Sequence, residues 1–94
     1  MTLNTIVHAS PDQVSCDLGG EAAILNLRTG RYYSLDPVGA EVWKLVGQPR
    51  TVADVRDAIL DSFEVEPERC ELDLFQLFDK LAAEGLIETR DGHS

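Results

Sequence analysis

The hydrophobic period of this chain changes at Asp36-Pro37, and no other feature limits its possible folds as strongly. Before that point, apolar and polar residues alternate in short runs. After it, apolar residues recur at three- and four-residue steps, the spacing of one helix face. Asp36 is suited to cap a helix beginning at Pro37, because proline lacks the N–H that would be unpaired there. The chain therefore reads as a strand half followed by a helix half.

In the strand half, Val14 and Cys16 alternate with Gln13, Ser15 and Asp17, and Gly19-Gly20 supplies a turn. Glu21 to Leu27 forms the next run, and Thr29-Gly30 separates it from Arg31-Tyr32-Tyr33-Ser34-Leu35. Two successive hairpins follow, making three antiparallel strands. In the middle run Ala23, Leu25 and Leu27 share one parity, while Ile24, Asn26 and Arg28 share the other. The first set is the expected core face. Tyr32 and Tyr33 fall on opposite faces of a regular strand. Residues 1–12 read as an N-terminal arm or irregular strand, with an apolar patch at Leu3, Ile6 and Val7 ahead of Ser10-Pro11.

In the helix half, Val38, Val42, Leu45 and Val46 form an apolar stripe with Trp43 at its margin, and Gly47 and Pro49 end it. Thr51 opens a second helix carrying Val52, Val55, Ile59 and Phe63, with Asp54 three residues after the cap. Pro67 opens a third that reaches Glu84, and Gly85 is its stop before Leu86 and Ile87. Residues 89–94 read as a flexible tail. A sheet with one core-facing surface places the helices against it in two layers.

At 94 residues the chain fits one domain and one core. Its 17 acidic against 8 basic residues give a formal charge of -9, which disfavours nucleic acid and anionic membrane as partners. Asp61 to Asp79 holds seven acidic residues and one basic, Arg69, where helices that read DNA would present a basic surface. Cys16 and Cys70 lack metal or redox spacing and read as small core residues. Without a positive segment followed by an apolar one near Met1, or any long apolar span, the expected location is cytoplasmic.

The third helix carries more apolar width than anchoring requires. Leu77, Cys70, Leu81 and Leu74 fill one narrow sector, and Phe78, Ala82 and Phe75 widen the arc to about 160°. Either the first helix or the arm covers Phe75 and Phe78, or they stay partly exposed. In the second case, an edge strand at 31–35 beside them offers unpaired backbone groups next to an apolar groove, which suits an incoming peptide.

The run from Ala23 to Gly39, including Leu27-Arg-Thr-Gly-Arg-Tyr-Tyr33 and Ser34-Leu-Asp-Pro37, followed by Val42-Trp43, resembles PqqD-like proteins and the recognition elements of ribosomally made, modified peptides. Thr51-Val-Ala-Asp-Val55, Phe63-Glu-Val-Glu-Pro67 and the helix from Asp73 to the closing Glu-Gly-Leu86 continue the resemblance, which spans about residues 13–88 as a leader-recognition domain. The wording is most similar to the freestanding leader-binding protein of lasso peptide biosynthesis. The resemblance implies an α+β, winged-helix-like fold with a three-stranded antiparallel sheet followed by three helices. It also implies a non-enzymatic role in which a precursor leader adds as a strand between the third strand and third helix.

Carried over by position, the leader site is Arg31, Tyr32, Tyr33, Ser34 and Leu35 on the strand, and Asp73, Leu74, Phe75, Phe78, Leu81 and Ala82 on the helix. Which tyrosine faces the leader stays open. The implied partners are the leader peptide and a separate leader peptidase, then an ATP-dependent macrocyclase, or a radical enzyme in other subtypes. No cofactor is implied. The main rival is an interaction module that forms a homodimer through its uncovered edge strand.

Catalytic patterns are weak throughout. His8 and His93 lie near opposite chain ends, and solvation explains them better than a metal. Glu66, Glu68, Glu71 and Asp73 read as a charged solvent face, with a small role in contacting basic leader side chains left open. Ser15, Ser34, Ser62 and Cys70 have no histidine arranged to activate them, and Gly19-Gly20 or Gly30 alone defines no phosphate loop.

Overall fold

The computed structural model describes residues 1–90. Strand β1 (Ile6–Ala9) precedes β2 (Gln13–Asp17), β3 (Ala22–Asn26) and β4 (Tyr32–Leu35). Helix α1 (Pro37–Leu45), strand β5 (Arg50–Thr51), helices α2 (Val52–Ser62) and α3 (Pro67–Ala83), and strand β6 (Ile87–Arg90) follow. The antiparallel sheet β2-β3-β4 followed by three helices is the α+β, winged-helix-like arrangement expected.

Local chemistry sets the boundaries. Asp36 Oδ1 accepts the Gly39 N–H at 2.8 Å and caps α1 ahead of Pro37. Thr51 and Asp54 form a reciprocal capping box on α2. Gly85, at φ 72°, turns the chain out of α3 through a conformation that side chains with a Cβ resist.

A second small sheet, β5-β1-β6, was not expected. Ile6 to Ala9 pair antiparallel with Arg90 to Ile87, which buries Val7 and Ile87 in the common core. Thr89 and Arg90 therefore belong to a strand and not to the expected tail, the rest of which, residues 91–94, lies outside the described residues. These strands are too short for alternation to show, and their pairing joins opposite ends of the sequence.

The parity expected for β3 is reversed. Ala22, Ile24 and Asn26 face the helices, while Leu25 and Leu27 are exposed and Ala23 is half-buried. Strand β2 is uncovered on most of its length, and Val14 and Cys16 are exposed, so of the two cysteines only Cys70 is a core residue. Val14, Leu25 and Tyr32 lie in one cross-strand row on the outer face. Inside, α1 packs on β3 and β4, α2 lies between α1 and α3, and α3 also meets β6. Trp43, expected at the margin of α1, is buried. No helix of the described residues is long and apolar enough to cross a membrane.

Candidate functional site

Strand β4 is an edge: β3 pairs with one side of it, and among the described residues no strand pairs with the other. Its hydrogen-bonding phase can be derived. The Asn26 N–H donates to the Arg31 carbonyl at 2.8 Å, so these two residues form a hydrogen-bonded pair. Such pairs alternate along an antiparallel ladder, which makes Leu25–Tyr32 and Ala23–Ser34 the non-bonded ones. The other side of β3 agrees, because Leu27 donates to the Asp12 carbonyl and Leu18 to that of Glu21. The backbone groups of Tyr33 and Leu35 thus serve the sheet. Those of Tyr32 and Ser34 point to the open side.

Beside that edge lies a groove of about 460 Å³ between β4, α1 and α3. Val38, Val42, Ile59, Leu74 and Leu77 give it an aliphatic floor, Val65 comes from the α2–α3 connection, and Cys70 adds a thiol. Burial pushes that thiol above its ordinary pKa, which keeps it neutral and makes it part of the floor. Tyr33, Ser34 and Leu35 form the strand wall, and Asp36 and Asp73 are the charged lining. An open row of donors and acceptors beside an apolar trough can hold an extended peptide by strand addition.

The residues picked from the sequence fall into three groups. Tyr33, Ser34, Leu35, Asp73 and Leu74 line the groove together. Arg31 and Tyr32 border it without lining it: Arg31 ion-pairs with Glu84 at 3.4 Å, and Tyr32 is 70% exposed on the outer sheet face. Tyr33 is the tyrosine that turns inward. Phe75, Phe78, Leu81 and Ala82 do not line it.

Phe78 and Leu81 are both 0% exposed and hold α3 on the core. Phe75 is half-buried on the flank away from the groove, because residues two apart on a helix diverge by about 160° and Leu77 occupies the groove side. The flank of Phe75 also carries Glu71, whose carboxylate accepts from Arg56 of α2 at 3.0 Å. Ala82 is exposed. The breadth of the apolar arc thus reflects two packing duties, towards α2 and towards the groove.

Leu77 and Cys70, expected only as anchors of the third helix, also line the groove. The four-residue step from Asp73 to Leu77 was a usable signal, since both fall on one flank. The carboxylates at 66–73 do not act as a pair: Glu71 turns to Arg56, while Asp73 accepts from Arg69 at 3.3 Å. Among the described residues no group of three or more His, Cys, Asp and Glu is placed to hold a metal ion.

The family described as coenzyme PQQ synthesis protein D (PqqD) matches residues 21–87. TbiB1, solved in complex with the TbiA(beta) leader peptide, is 31% identical, with a TM-score of 0.80 over 93% of this chain and 98% of that one. No curated protein matches.

Proposed function

This chain belongs to the PqqD family, and from that premise we propose that it binds the leader of a ribosomally made precursor peptide as an added strand along β4. The open backbone edge at Tyr32 and Ser34, set beside an aliphatic groove, carries this reading. TbiB1, similar over nearly its whole length and solved with a leader peptide, supports it. Binding is non-covalent: the backbone of β4 supplies affinity, and the groove selects alternate side chains. The bound leader is then presented to a separate leader peptidase in lasso peptide biosynthesis, which raises the local concentration of cleavable peptide.

Proline at position 34 isolates strand addition, because the Ser34 N–H points to the open side and β3 loses no hydrogen bond. Titrating the cognate leader, Ser34→Pro should weaken binding about tenfold or more, since one hydrogen bond of about 1 kcal/mol is lost and the proline ring intrudes on the guest strand. Ser34→Ala should bind normally. Equal affinity in the proline variant, or a wild-type protein that binds neither leader nor peptidase, overturns the proposal. A homodimer joined through β4 without leader affinity would put the interaction module in its place.

A further inference from the structure

The groove carries a charge pattern that strand addition leaves unused. Its floor is aliphatic, its two charged lining residues, Asp36 and Asp73, are carboxylates, and no lysine, arginine or histidine of the described residues lines it. Arg31, at the start of β4, meets Glu84 at the end of α3, so strand and helix run in opposite directions. Asp36 directly follows β4, and Asp73 sits in the first half of α3 one turn before Leu77, and both line the groove.

Neither carboxylate is fully used. Asp36 accepts the Gly39 N–H through Oδ1, with no partner on Oδ2 among the described residues. Asp73 has an exposed contact with Arg69 one helical turn away, a kind of pair that contributes little in water. On an added strand, the residues opposite Tyr33 and Leu35 turn their side chains to the groove side of the sheet. Resting on the leader-binding reading, the geometry points to a guest peptide with a lysine or arginine opposite Leu35. Its methylene stem lies on the aliphatic floor, and its charge sits at Asp36 and Asp73.

The test uses a library of capped, otherwise uncharged octapeptides with randomised alternate positions, selected on immobilised full-length protein. Enrichment of lysine or arginine at one position is the expected result. A lysine peptide should then bind about five- to tenfold tighter than its norleucine counterpart, as two weak ion pairs allow. The Asp36→Asn, Asp73→Asn double variant keeps the helix cap and should erase that ratio. Arg69→Ala frees Asp73 and should raise it. Groove-binding peptides without a basic preference, or a ratio indifferent to these variants, overturn the inference and leave leader binding intact. A library from which nothing is enriched, together with a cognate leader that does not bind, overturns both.

Discussion

The amide of Asn26 is buried and both of its polar atoms are used. Nδ2 donates to the Glu84 carbonyl at 2.6 Å, and Oδ1 accepts the N–H groups of Arg28 and Thr29. One side chain thus shapes the β3–β4 turn and fastens it to the end of α3, beside the Arg31–Glu84 ion pair. Asn26→Ala leaves several of these groups without partners and should cost about 2 kcal/mol by urea unfolding. The residue also explains why the parity of β3 is the reverse of the one expected. A polar type counted against the face it occupies, and nothing local showed that its partner lies at residue 84. Cysteine reactivity gives a second check. At pH about 8, a thiol reagent should modify exposed Cys16 in the folded protein, and Cys70 only after unfolding, since burial both blocks that thiol and favours its neutral form. With its folded pKa raised, the contribution of Cys70 is complete below the thiol's unfolded range and is lost as pH rises through the folded value.

At the scale of elements, the parts legible in the sequence were those settled by neighbours in the chain. Asp36-Pro37 and Thr51 with Asp54 set helix starts through hydrogen bonds spanning three residues, and the structure has them as expected. The duties of α3 were less legible, because its apolar arc serves the core, α2 and the groove together, and residue type does not separate them. Burial does. Phe78 lies wholly inside, so Phe78→Ala should cost about 3–5 kcal/mol of stability, read as a lowered urea midpoint. Leu77 is half-buried on the groove flank. Leu77→Ala should therefore lose much less stability, about 1 kcal/mol, while weakening leader binding several-fold in titration. Phe75→Ala should leave that titration unchanged.

At the scale of the molecule, the two sheets share one core but end differently. The β5-β1-β6 sheet joins the two ends of the described chain through β1 and β6, a pairing invisible to any window of sequence because those two strands lie about eighty residues apart. Among the described residues the β2-β3-β4 sheet has two open edges, of which only β4 adjoins the groove. A guest peptide and a second copy could each occupy the β4 edge, and the net charge of -9 weighs against the copy. Amide exchange distinguishes these occupants residue by residue. In the free protein the Tyr33 and Leu35 amides, bonded to β3, should exchange slowly, and those of Tyr32 and Ser34 fast. Saturating leader should slow Tyr32 and Ser34 and leave the outward amides of β2, at Gln13, Ser15 and Asp17, unaffected. Pairing between two copies of β4 would instead slow Tyr32 and Ser34 without leader, increasingly so at higher protein concentration. If both amides stay fast with leader bound, the guest does not pair with this strand.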